Sequence, residues 1–471
     1  MINILVVLFL RYIGPFLRIN VLNNDNIKNQ LFYFSKESLR HIVLHSGCGI
    51  ICRNSDLKIK PLPNDDDTTN SIISPLLCVY RKADGKLIKE KDKLLWNHKK
   101  FKKEINICAN GYMSLALLYL SDYYRNFKEI DKSKYELSKL YVELANKQLE
   151  FFALYCRNAD GVFVDKYDST DPLEKDYHLT DKDMKFKFST QALLMAGYYK
   201  CSLYNDSEEN IFKSFALDIL NLFKTFKNEI YNTSHDELVK ICLAFNILYK
   251  DSKLDDVKEM LIDFSELAIE NFRNMPPSVI RENIDISCLC YINSILTYKN
   301  TGIPKFKEAA CAIYEILEKL YDSDSGIFVK DITEKENKYT SDEIILYLYV
   351  LMLQLNYLNE NDRMDLSSKI YNLYKRQVIS SGIILKWPDP PTLDDVERYK
   401  NYSSKSEDLL DDSYFSFSTS LNNDSKDLAP IFVKNISLNR KKESFKHYKH
   451  SFDSCKNMFN FFIIIFLNDY I

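Results

Sequence analysis

A chain of 471 residues with 46% apolar and 27% charged residues carries too much apolar material for a disordered protein. Its 63 Lys and Arg against 66 Asp and Glu leave a net charge of -3, which gives no basic footprint and argues against a nucleic-acid partner. The length exceeds the usual range of one small core, so a single domain of this size has to grow by repetition.

The first 95 residues read as a flank with short strands and one helix. The apolar run at 4–10 lacks a cationic start and is cut by Arg11, which predicts a buried strand and not a signal peptide. A helix is expected over 26–45. Residues 57–70, with Pro61, Pro63 and three successive aspartates from Asp65, read as loop.

Ten helical segments follow, and they alternate in character. Those at 107–124, 188–204, 237–249, 286–298 and 343–358 are almost free of charge. Those at 132–155, 208–231, 254–274, 304–321 and 361–378 are charged on one side only. In the third of these, Val257, Met260, Leu261, Phe264, Leu267 and Ala268 keep helical spacing while Asp255, Asp256, Lys258 and Glu259 face away. A helix that is apolar all round must be surrounded by protein, whereas a striped helix lies outside. Each hairpin therefore pairs one inner with one outer helix. The inner helices start at 107, 188, 237, 286 and 343, an irregular spacing that favours a closed ring with long inserts over an open helical-repeat array.

Beyond the last hairpin, 388–428 reads as a polar, acidic excursion, 429–436 as a strand and 441–468 as a helix. The apolar run at 458–467 is too short to span a bilayer, so no membrane span is expected. Most of the eleven cysteines, such as Cys108, Cys156, Cys201, Cys242 and Cys311, fall on apolar helix faces, where a thiol acts as a small hydrophobe. That usage suits a reducing, cytoplasmic setting. Neither the Cys48/Cys52 pair nor the Cys288/Cys290 pair has partners at zinc-like spacing, so neither a metal nor a cofactor is expected.

Three outer helices run into similar short stretches: Asp160-Gly161-Val162-Phe163, Ser325-Gly326-Ile327-Phe328 and Ser381-Gly382-Ile383-Ile384. Glycine can end a helix in a left-handed conformation, and the apolar residues after it can form a short strand. This exit, with the alternating hairpins, resembles the (α/α)6 toroid superfamily: the six-hairpin glycosidases, the N-acylglucosamine 2-epimerases and their relatives. The resemblance covers roughly 96–389 and implies an all-α toroid of helical hairpins with short β excursions. Residues 390–471 then pack on it as a polar excursion, a strand and a C-terminal helix. Five hairpins are visible where the superfamily has six. The helices at 26–45 and 441–468 are expected to supply the sixth.

The resemblance also implies that substrate sits where the inner helices start, and that the ligand is a carbohydrate or other small molecule. At that collar Asp285, Asp236 and Asp342 are the catalytic candidates, since acid–base work on a sugar needs carboxylates. Trp96, His98, Gln191, His235, Arg281, Glu282 and Trp387 are the substrate-binding candidates. For Asp236 and Asp342 the competing role is helix capping, shared with Ser234 and Ser341. The function implied is glycoside hydrolysis or sugar epimerisation through paired carboxylates. The alternative is a non-catalytic toroid that binds glycan or protein. The sequence specifies no oligomeric state.

Overall fold

The computed structural model describes residues 23–53, 56–57, 74–90, 93–171, 176–182, 185–205, 210–331, 333–388, 395–397, 427–447 and 450–471. The expectations for 4–10, most of 57–70 and most of 388–428 lie outside the described residues.

Twelve helices longer than ten residues alternate between two environments among the described residues. The outer set is α1 (Asn24–His45), α3 (Lys132–Tyr155), α5 (Ile211–Thr225), α7 (Asp255–Arg273), α9 (Pro304–Glu318) and α11 (Glu360–Leu373). The inner set is α2 (Ile107–Arg125), α4 (Phe188–Ser202), α6 (His235–Ser252), α8 (Ile284–Thr301), α10 (Ser341–Gln354) and α12 (Ser454–Leu467). Every residue of α10 is buried, while α7 buries only the stripe of Val257, Met260, Leu261, Phe264, Ala268 and their helical neighbours. Burial thus follows the charge pattern, because uncharged faces can lose their water at little cost.

Each inner helix packs on the next, from α2 through α4, α6, α8 and α10 to α12, and α12 returns to α2. Each outer helix packs on its own inner partner, including α1 on α12. An open array has no contact between its last and first inner helices. The fold is an (α/α)6 toroid.

The sixth hairpin joins the two ends of the described chain, but the second of its helices begins later than expected. Residues 444–447 and 451–453 are strands, and α12 starts only at Ser454, where the Asp453 carboxylate accepts from the Cys455 N–H. The strand expected at 429–436 is displaced to Asn435–Asn439, with Phe432 making only an isolated bridge to Ile384. The outer segment expected at 208–231 breaks at Phe226, and that at 361–378 ends in a wide π turn over Tyr374–Ile379. No helix among the described residues is long and apolar enough to cross a membrane.

The two ends of the ring differ. Most inner helices connect to the next outer helix by short turns, such as the left-handed Lys253 and Gly302. At the other end, where inner helices begin, the chain makes its strands. β1 (Gly49–Ile51), β2 (Leu76–Asp84), β3 (Lys102–Ile105), β4 (Lys166–Asp168) and β5 (Leu179–Asp181) form one antiparallel sheet, which β9 (Ser451–Asp453) joins through β2. β6 (Glu336–Thr340), β7 (Asn435–Asn439) and β8 (Ser444–His447) form another. These sheets surround the mouth of the ring.

The glycines turn as expected, but only the second exit continues into a strand, Ile327–Phe328, and the other two make isolated bridges. Gly161, Gly326 and Gly382 all have positive φ, at 80°, 65° and 75°. The apolar residues after them bridge back at Arg157/Phe163, Tyr321/Phe328 and Ile384/Phe432. At each exit one phenylalanine backbone is gripped by a buried side-chain amide that both accepts from its N–H and donates to its C=O. Gln191 holds Phe163 (3.0 and 2.9 Å), Gln377 holds Phe328 (3.2 and 3.3 Å) and Asn457 holds Phe432 (2.8 and 3.0 Å). A short strand beside a helix bundle leaves peptide groups without a ladder, and the amide satisfies both at once.

Candidate functional site

The first turns of the inner helices converge on the mouth and bring an unusual density of charge with them. Several acids there are spent on the helix starts themselves. Asp165 accepts from the Ile107 N–H at the head of α2 (2.9 Å). Glu237 accepts from the Ser189 N–H at the head of α4 (2.7 Å). Glu343 closes a capping box with Thr340 and also pairs with Lys330. Glu104 is gripped by Arg81 (2.9 Å), Lys102 (2.6 Å) and Lys182 (2.9 Å). Despite the opposing effect of burial, these three cations hold it down at about 2.

Asp342 and Asp236 do not cap. The N-caps of α10 and α6 are Thr340 and Ser234, so the capping role considered for Asp342, Asp236 and Ser341 falls to their neighbours. Asp342 is 7% exposed and faces α12, where it pairs with Lys456 and accepts from Asn460 (3.2 Å). Burial pushes its carboxyl up to about 6; Lys456 opposes the shift, and the Asp285 and Glu343 carboxylates add to it. Asp285, half-buried in the first turn of α8, accepts from the backbone N–H of Ile286 (3.0 Å) and has no ion pair among the described residues. Asp236 pairs with Lys240 one turn on (2.6 Å). Buried Tyr112 of α2 packs on Phe459 and Phe462 of α12 and lies within electrostatic reach of Asp236, Glu237 and Asp342. The three catalytic candidates therefore share one mouth with Tyr112, Lys240 and Lys456.

The binding candidates divide. His235 opens α6 at the mouth; burial lowers it to about 4, and neither buried ring nitrogen has a hydrogen-bond partner among the described residues. Arg281 and Glu282 are exposed on the short helix Pro277–Glu282 and line a groove beside the mouth. The remaining four are occupied elsewhere. Gln191 grips Phe163, and Trp96 is 2% exposed, donating from Nε1 to His41 (3.0 Å) and packing on Phe452. His98 is exposed against Phe101, and half-buried Trp387 packs on Phe34 of α1. Sequence reasoning missed Lys240, Lys456, Tyr112 and Asn460. The available signal was a lysine in an otherwise uncharged segment, as in the Leu238-Val239-Lys240-Ile241 run.

Among the described residues no group of three or more His, Cys, Asp or Glu is placed to hold a metal ion. The arrangement instead offers a carboxyl that keeps a proton up to near-neutral pH and an unpaired carboxylate close by.

No family model and no curated protein sequence matches the chain. Solved structures similar to it include a D-mannose isomerase (6% identity, 83% of this chain and 91% of that one, TM-score 0.48). A cellobiose 2-epimerase from Bacillus thermoamylovorans is 10% identical over 92% of this chain and 98% of its own, with a TM-score of 0.49. A GH76 α-mannanase from Bacteroides thetaiotaomicron is 12% identical over 97% and 98%, with a TM-score of 0.45. At such identities the chemistry must come from this chain's own residues.

Proposed function

We propose that the mouth of the ring is an acid–base site that hydrolyses a glycosidic bond, with Asp342 as the proton donor and Asp285 as its partner. The observation that carries this reading is the inequality of two neighbouring carboxyls. Asp342, desolvated and crowded by other acids, holds its proton up to about 6, whereas Asp285 is more exposed and unpaired by cations among the described residues. Glycoside hydrolysis needs two carboxyls at the scissile bond, one to give a proton and one to receive it. In the step proposed, Asp342 gives its proton to the bridging oxygen as the bond from that oxygen to the anomeric carbon breaks. Water adds at the carbon and loses its proton to Asp285, and the two carboxyls then exchange protons with solvent. Asp236 and Lys240 flank the sugar as hydrogen-bonding groups.

A panel of neutral and uronic saccharides tests this by release of reducing ends, with solvent-deuterium incorporation at carbon as the signature of epimerisation instead. Turnover of at least one saccharide, lowered about 100-fold or more by Asp342→Asn, is expected. Turnover indifferent to both Asp342→Asn and Asp285→Asn would overturn the assignment.

A second reading, a sugar-binding toroid without turnover, draws support from the engagement of Asp342 by Lys456 and Asn460 at 7% exposure. It predicts saccharide binding with no product.

A further inference from the structure

Beside the mouth, between the approach to α8 and the loop that leads into β6, lies a half-open groove of about 580 Å³. Its volume is within the range of small-molecule sites, but its lining is not the usual apolar one. Arg281, Lys338 and Lys330, the last already paired with Glu343, supply N–H donors, and Glu282, Asp331, Glu334 and Glu336 supply carboxylates. No aliphatic or aromatic side chain lines it among the described residues. One wall is fixed in advance: buried Asn337 accepts from the Asp331 N–H and donates to the Asp331 C=O, both at 3.0 Å.

Such a lining rejects an apolar ligand, which leaves these charges desolvated and unpaid by contacts. Near balance of sign also disfavours a simple anion or cation. Hydroxyl groups suit it, because each can accept from a cationic N–H and donate to a carboxylate. The groove is also continuous with the proposed site along the chain. Arg281 lies four residues before Asp285, across the break at Asn283, and Lys330 reaches from the groove wall to Glu343, the neighbour of Asp342.

We infer that the groove is an extended subsite and that the substrate is an oligosaccharide, its further units lying between Arg281 and Lys338. This rests on the glycosidic reading of the mouth. The test is calorimetric titration of the Asp285→Asn protein, which binds without turnover, with saccharides of one to five units from the same panel. Affinity is expected to rise about tenfold between one unit and three, and the Glu336→Gln/Lys338→Ala double variant in that background is expected to lose the rise. Affinity independent of length, or a rise that survives the double variant, overturns the subsite and leaves the mouth assignment standing. Absence of binding by saccharides of every length overturns both.

Discussion

At the residue scale, Asp342 is held in a state that ordinary carboxyls avoid, and the consequence is visible in stability as well as in chemistry. Its folded value of about 6 lies above its usual 3.8. Between those two pH values the folded chain binds more protons than the unfolded one, so stability falls as pH rises through this window. Asparagine has no such proton to lose. The stability difference between wild type and Asp342→Asn is therefore expected to move in the variant's favour by about 1 kcal/mol between pH 5 and pH 7. Denaturant unfolding at the two pH values measures it, and a constant difference contradicts the assignment of Asp342. In activity, the same carboxyl predicts turnover that declines above about pH 6.

Between helices, and where helices meet strands, buried polar side chains hold the architecture together. Lys36 of α1 is fully buried and pairs with Glu37 (2.5 Å) and with Glu397 (2.9 Å). Glu397 also takes Lys134 of α3 (2.6 Å) and the Tyr123 hydroxyl of α2 (2.9 Å), so it pins two outer helices to the inner one between them. Glu397→Gln is expected to cost about 3 kcal/mol, because buried Lys36 loses one of its two charge partners and Lys134 loses one of its own. The Lys36→Met/Glu397→Leu pair should recover most of that loss in thermal unfolding. The cations keep Glu397, despite its burial, at about 2. The pair's contribution is thus complete above the ordinary glutamate range and is lost only as pH falls through about 2. Gln191→Leu strips both partners from the Phe163 peptide, an expected cost of about 2 kcal/mol. Faster hydrogen exchange of the Phe163 amide, without change at the equivalent Phe328, locates it.

The inner and outer helices were legible because burial leaves its mark as missing charge, and the Gly161 and Gly326 exits were legible because only a left-handed turn needs glycine there. Other features left weaker marks. The sequence of 441–453 is rich in Lys, Ser and His, which suit a helix as well as a strand, and only pairing with β7 and β2 makes strands of Ser444–His447 and Ser451–Asp453. Gln191 reads as a ligand group in the sequence, because the amide that grips a backbone and the amide that grips a sugar look alike there; in the fold it bonds the Phe163 peptide. Lys456 was overlooked because its partner, Asp342, lies 114 positions away.

At the scale of the whole molecule, the toroid is closed by segments from opposite ends of the chain. α1 packs on α12, and α12 supplies Phe459, Phe462 and Phe466 against Tyr112 and Tyr119 in the interior. The last residues then cross the closed end of the ring. The Ile471 carbonyl accepts from Lys28 (2.6 Å), and the Tyr470 carbonyl accepts from Lys299 (2.9 Å) and Asn356 (3.1 Å), stitching three hairpins together. The mouth depends on that closure, since Lys456 and Asn460 reach Asp342 only when α12 is seated. Proton chemistry and ring closure are therefore coupled through one carboxyl. Following the Asp342 carboxyl carbon by NMR through a pH titration, with and without a saccharide that the protein binds, tests both together. An inflection near pH 6 that moves when the saccharide is added is predicted, and a carboxyl already ionised at about pH 5 and indifferent to every saccharide would contradict the account.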